Sequence, residues 1–189
     1  TDSLNYALNK CGFKERTIEQ VRAAIGNGMR VLLKKSLPED VSTPQLEQCL
    51  KVFLEYYEEN VANKTCPYEG IMDMLNQLKL RGHKLAIVSN KFQKGVDLLY
   101  EKFFKEYMPI AIGQREDIPK KPAPDSIYEA MEKLWATKES TVYIGDSEVD
   151  YLTAKNAGIA CILVTWGFRA EENLKELGAD YIAHSTQEI

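Results

Sequence analysis

Histidine is scarce in this sequence, its cysteines keep no pairing pattern, and no apolar run approaches the roughly 20 residues that span a bilayer. The first two shortages exclude a thiolate- or imidazole-built metal centre. Cys11, Cys49, Cys66 and Cys161 form no CxxC pair and keep no ligand spacing, and His83 and His184 both fall beside turns. Cys161 sits in the apolar run Ala160-Cys161-Ile162-Leu163-Val164, and Cys49 lies on the apolar face of a helix, so buried, reduced thiols are expected. An excess of positive charge is missing too. The net charge is −4, which offers nothing to nucleic acid or to an anionic membrane. No charged-then-apolar leader is visible, and a cytoplasmic protein is the expectation.

What is present is ordinary for a globular protein: 44% apolar and 28% charged residues in a chain of 189. That length suffices for one good-sized domain or for a core with a smaller lid. Residues 1–64 read as helix throughout. Leu4, Ala7, Leu8 and Cys11 mark a short amphipathic helix that Gly12 ends. Two short helices flank Gly26-Asn27-Gly28. Thr43 and Pro44 supply an N-cap and a first-turn proline for a longer helix, whose stripe is Leu46, Cys49, Leu50, Phe53, Leu54, Tyr57 and Val61. This predicts a small all-helical bundle.

From residue 65 the pattern changes. Helix-period and strand-period segments alternate to the end, with predicted strands at 85–88, 110–112, 141–144, 159–164 and 181–183. Each is a continuous apolar run, which argues a parallel sheet covered by helices on both faces, an α/β Rossmann-like core. Ligands of such sheets bind at the carboxyl ends of the strands.

Three polar clusters fall at those ends. Ser89-Asn90-Lys91 follows Val88, just where a helix is predicted to begin. Lys120-Lys121-Pro122-Ala123-Pro124 follows the next strand and its loop. Gly145-Asp146-Ser147-Glu148-Val149-Asp150 follows Ile144. A phosphate ester would give each a purpose. Free N–H groups at a helix start suit phosphoryl oxygens, which assigns Ser89 and Asn90. A lysine can neutralise charge that grows on a transferred group. Magnesium takes an oxygen shell with one or two carboxylates, and Asp146 at a strand tip can give one. Asp150, a turn later, can hold a metal-bound water or pair with the lysine. Singly, an ordinary helix cap and a solvated charge pair explain the first two clusters as well. Together, in this order, they point to one crevice.

These residues resemble three of the four motifs of the haloacid dehalogenase-like superfamily. Val88-Ser89-Asn90 is similar to the second motif, Lys121 before Pro122-Ala123-Pro124 to the third, and Gly145 to Asp150 to the fourth. Ile25-Gly26-Asn27-Gly28 with Leu32-Leu33 resembles the cap loop of phosphoglycolate phosphatase-like members. Pro67-Tyr68-Glu69-Gly70, Thr165-Trp166-Gly167 and Ala179-Asp180-Tyr181-Ile182 are similar to other stretches of that subfamily.

The resemblance implies a helical cap over 1–64, an α/β core over 65–189, and a Mg2+-dependent phosphatase acting on a small phosphorylated metabolite as a monomer or homodimer. It assigns Ser89 and Asn90 to the phosphoryl oxygens, Lys121 to nucleophile and phosphate, Asp146 and Asp150 to the metal, and Gly26, Asn27 and Gly28 to substrate contact. Gly-x-Gly is equally a plain inter-helix turn. The cap would close over the crevice and read the leaving group. The family's first motif, Asp-x-Asp-Gly-Thr, which supplies the aspartate nucleophile, is absent from these residues. In the family fold its strand lies between those ending at Val88 and Ile144, so the chain is expected to begin shortly after it. Pyrophosphatase, nucleotidase or β-phosphoglucomutase-like members and a non-catalytic phospho-ligand-binding relative are the alternatives, the mutase disfavoured because Gly145 stands where such members carry glutamate.

Overall fold

The protein's structure, a computed structural model, describes residues 1–26 and 28–189. Two compact units make up the chain, Thr1–Thr65 and Cys66–Ile189.

The first unit holds α1 (Asp2–Lys10), α2 (Ile18–Ala24), α3 (Met29–Ser36) and α4 (Thr43–Asn60). Apolar residues at helical spacing give each helix one face to bury, and the faces meet in a single cluster. Leu4, Ala7 and Leu8 of α1 pack with Leu32 and Leu33 of α3 and with Cys49 and Phe53 of α4. Each fully buried leucine contributes about 1.5–3 kcal/mol over its exposed state. Gly12 ends α1 in a left-handed conformation, φ 79°, that favours glycine. The cap of α4 lies one residue earlier than the sequence suggests. Ser42, not Thr43, is the extended N-cap residue, and its backbone N–H donates to Gln45 Oε1 at 3.2 Å. A serine-threonine-proline run offers two hydroxyls, and the Gln45 side chain selects the first.

The second unit alternates α5 (Ile71–Leu80), β1 (Ala86–Phe92), α6 (Gln93–Leu99), β2 (Ile110–Gln114), α7 (Asp125–Leu134), β3 (Val142–Gly145), α8 (Glu148–Ala157), β4 (Ala160–Val164), α9 (Glu171–Lys175) and β5 (Tyr181–Ala183). All strand pairing among the described residues is parallel, as continuous apolar runs with helical crossovers require. The pairing is divided. β1 pairs with β2, while β3, β4 and β5 form a second sheet in that order. The division between β1 and β3 falls where the family resemblance expects a further strand. On the β3 side, Val142 is 48% and Ile144 37% exposed, so two side chains of this strand lack full cover. Behind β4, Cys161 and Leu163 pack with Ile127, Met131, Ala154, Ala157 and Leu174.

Two expectations need correction. β1 continues past Val88 to Phe92, with a register shift between those residues, so Ser89 and Asn90 are irregular strand rather than the start of a helix. All four cysteines are free, and Cys49 and Cys161 are buried as expected, but Cys66 is exposed. It lies outside any helix or strand, where no apolar face exists to cover it.

Leu163 is fully buried at the centre of the β3–β4–β5 sheet, whereas Leu80, at the end of α5, is 79% exposed. Urea denaturation is expected to show Leu163→Ala losing about 2–5 kcal/mol and Leu80→Ala changing stability by less than about 0.5 kcal/mol.

Candidate active site

Three chain segments bring the polar residues together. From β1 comes the Asn90 side chain, which is buried and spans to the loop before α7. Asn90 Nδ2 donates to Lys121 O at 3.0 Å and the Lys121 N–H donates to Asn90 Oδ1 at 2.8 Å. This reciprocal pair fixes the backbone from which Lys121 projects. The Lys121–Pro122 peptide is cis, and Asn156 of α8 donates to Pro122 O at 2.8 Å.

From there the Lys121 ammonium enters the space beside β3. Its Nζ donates to Asp150 Oδ1 at 2.6 Å, to Tyr143 Oη at 3.0 Å and to Val88 O at 3.4 Å. Lysine and aspartate side chains are 11% and 7% exposed. Asp150 is fully engaged. The Tyr143 hydroxyl donates to Oδ1 at 3.2 Å, while the Asp146 N–H at 3.1 Å and the Ser147 hydroxyl at 2.6 Å donate to Oδ2. Of the two uses open to Asp150, the structure shows the pairing with lysine.

Gly145 makes this possible. A Cβ there would lie 2.3 Å from Asp150 Cβ, so a side chain at that place would force the first turn of α8 or the Asp150 side chain to shift from its present position. Ser147 is the extended N-cap of α8 and accepts from the Asp150 N–H.

Asp146 sits differently. Its Oδ2 accepts from the Phe168 N–H at 2.7 Å, in the loop that leaves β4. A Cβ on Gly167 would stand 2.2 Å from Asp146 Oδ2, so that backbone lies directly on the carboxylate.

The two aspartates are consequently driven apart in acidity. Burial would raise Asp150, but Lys121, the Ser147 hydroxyl and the Asp146 N–H outweigh it and hold its pKa below the ordinary value. Burial opposes the charge on Lys121 as well, and Tyr143 and Asp150 overcome it, so its pKa is raised. The pair is therefore ionised at neutral pH. For Asp146 burial prevails over the Phe168 hydrogen bond, with the Asp150 charge adding to it, and the pKa is raised. Lys121 and Arg169 act against this rise without cancelling it, and a half-buried carboxylate with one oxygen held by an N–H is of a kind that can take a divalent cation. Among the described residues no three acidic, thiol or imidazole side chains gather as a metal cluster.

Asn90, Lys121, Asp146 and Asp150 are thus one neighbourhood, and Ser89 belongs to it through its chain neighbours, its Oγ accepting the Lys91 N–H at 3.1 Å. Gly26 and Gly28 belong to the turn between α2 and α3 in the other unit, with φ 112° and 88°. Asn27 lies outside the described residues. His83 is exposed, and His184 stands 3.7 Å from Glu171 at the surface. Sequence reasoning missed Tyr143, the Gly167-Phe168 backbone and an Arg169–Glu148 ion pair. The one available signal was Thr165-Trp166-Gly167 directly after a strand end.

Comparison with known proteins identifies the family. The pattern of the haloacid dehalogenase-like hydrolases matches residues 1–164. The chain belongs to that family. It is 32% identical over 170 residues to a phosphoglycolate phosphatase of Aquifex aeolicus, covering 88% of this chain and 76% of the relative. It is 32% identical over 174 residues to phosphoglycolate phosphatase 1 of Pseudomonas aeruginosa, covering 89% of this chain and 64% of that one. A crystal structure from Lactobacillus delbrueckii subsp. bulgaricus, of a protein assigned as a phosphoglycolate phosphatase, superposes with a TM-score of 0.90 at 33% identity. It covers 99% of this chain and 87% of that one. These likenesses place the chain among the phosphatases of the haloacid dehalogenase-like hydrolases.

A prediction about pH follows from Asp146. Its folded pKa stands above the ordinary 3.8, so its ionisation costs stability, with the cost appearing as pH rises from about 3.8 through the raised folded value. In metal-free buffer Asp146→Asn is expected to melt higher than the parent at pH 7, and the gain is expected to vanish below about pH 3.8. Differential scanning calorimetry across pH checks both.

Proposed function

We propose that this chain forms the greater part of a magnesium-dependent phosphatase that hydrolyses a small phosphomonoester such as phosphoglycolate. The observation that supports this most is the gathering of Asn90, Lys121, Asp146 and Asp150, with a buried, charged Lys121 paired to Asp150 and the same carboxylate accepting the Asp146 N–H. Lys121 would hold the phosphoryl group and neutralise charge that grows on it during transfer, its position fixed by Asn90 and Asp150. Ser89 and the backbone at Asn90 would receive phosphoryl oxygens. Asp146 would ligate Mg2+ directly, while Asp150, its oxygens already taken, would act through Lys121 and the Asp146 backbone. When bound, the ion would supply positive charge to the phosphate ester. Gly26, Asn27 and Gly28 carry over as substrate contacts by the same resemblance.

The reaction needs a nucleophile, and in this reading it is the aspartate of a strand that enters between β1 and β3. The carboxylate oxygen would attack phosphorus in line, the ester oxygen would depart with a proton from the second aspartate of the same motif, and water, giving a proton back to that aspartate, would then cleave the aspartyl-phosphate to release phosphate and free the first aspartate.

In the full-length protein, assayed with Mg2+ against phosphoglycolate and other small phosphomonoesters, Lys121→Ala and Asp146→Asn are each expected to lower turnover by at least about 10²–10³-fold. Circular dichroism should show both folded at the assay temperature. Full activity in either variant removes the role given to that residue. A wild-type protein that binds the esters without turning any over would favour a non-catalytic relative.

A further inference from the structure

The loop after β4 does more than connect β4 to α9. Its start is fixed by sheet pairing, the Thr165 N–H donating to Ala183 O at 3.1 Å. Its middle lies on Asp146, through the Phe168 N–H and the space that only Gly167 leaves open. Phe168 is 47% exposed and contributes only part of an aromatic side chain's burial to holding this stretch. What fastens the far end is charge. Arg169 Nε donates to Glu148 Oε2 at 2.7 Å and Nη2 to Glu148 Oε1 at 2.9 Å, a two-pronged pairing whose planar geometry fixes direction as well as distance. Arg169 is 18% exposed and Glu148 43%. Glu148 is the first residue of α8, two positions beyond Asp146. The carboxylate of Asp146 is therefore enclosed between a helix start and a loop that one ion pair ties together.

We propose that the Arg169–Glu148 pair is a positioning clasp. By holding the residue 165–169 loop on the first turn of α8, it keeps the Phe168 N–H on Asp146 Oδ2 and so would fix the carboxylate that is to hold the cation. Neither residue is assigned a contact with substrate or metal. Both act through the Phe168 backbone and Asp146. The inference rests on the reading of Asp146 as a magnesium ligand.

Charge and position predict opposite signs for one substitution, which makes the clasp testable. Arg169→Ala removes a cation from beside Asp146 and leaves Glu148 unpaired, so electrostatics alone would tighten Mg2+ binding. A lost clasp would loosen it. Partners that orient metal ligands typically contribute about 10- to 100-fold in affinity. Titration calorimetry of the full-length protein with MgCl2 is expected to show Arg169→Ala binding about 10-fold more weakly than wild type. Arg169→Lys, which keeps the charge with a single prong, is expected to fall between. The Mg2+ concentration for half-maximal activity should shift with the same order, while KM at saturating Mg2+ stays within about two-fold, because substrate contacts are untouched. Binding by Arg169→Ala as tight as wild type, or tighter, overturns the clasp. If Arg169→Ala does not fold, Arg169→Lys decides alone, since its charge is unchanged and wild-type affinity would overturn the proposal. A wild-type protein that binds no Mg2+ would instead overturn the metal reading itself.

Discussion

The ion pair between Lys121 and Asp150 is the constraint around which the second unit is arranged. It joins segments 29 residues apart, at 2.6 Å and nearly out of water. Removing two such charges from solvent is expensive, and a buried pair seldom adds net stability over apolar residues of the same volume. Its cost is tolerable here because every polar atom around it is satisfied. Asn90 holds the lysine's backbone, Tyr143 bridges both charges, and Ser147 with the Asp146 N–H completes the carboxylate. Such an arrangement specifies position more than it stabilises. A lysine that could swing into solvent would be a poor partner for a phosphoryl group in flight.

The pair also explains why two aspartates four positions apart on one short motif behave as different acids. Asp150 has a resident cation and gives up its proton easily. Asp146 receives one backbone N–H and the more distant charges of Lys121 and Arg169, but burial and the negative charge of its neighbour outweigh them. Environments that push like groups apart in acidity assign them different tasks. The first carboxylate completes the scaffold, and the second remains demanding of positive charge.

The fold was legible in the sequence wherever a local rule governed it. Apolar runs such as Ile159 to Val164 and Leu85 to Val88 announced strands, Gly12 announced a helix end, and Pro124 announced the start of α7, where it is the N-cap. The members of the candidate site were legible as composition: Asn90, Lys121, Asp146 and Asp150 were all named from their place after strands, and the structure brings these four side chains together. What could not be read was geometry decided across the chain. Ser89 reads as a helix cap because a small hydroxyl before a polar stretch usually is one, yet the register shift of β1 carries the strand beyond it. Tyr143 looks like one more strand residue until Lys121 arrives from 22 positions away. The Arg169–Glu148 pair spans 21 positions and has no local signature at all.

Gly145 lies against Asp150 and Gly167 against Asp146, each occupying a place where one added carbon would fall within 2.3 Å of a carboxylate side chain. For protein engineers this closes both positions to diversification: even alanine would collide with the acidic group it faces. A library that varies either position would have to vary the facing aspartate's surroundings with it, since the added carbon needs space that the carboxylate side chain now fills.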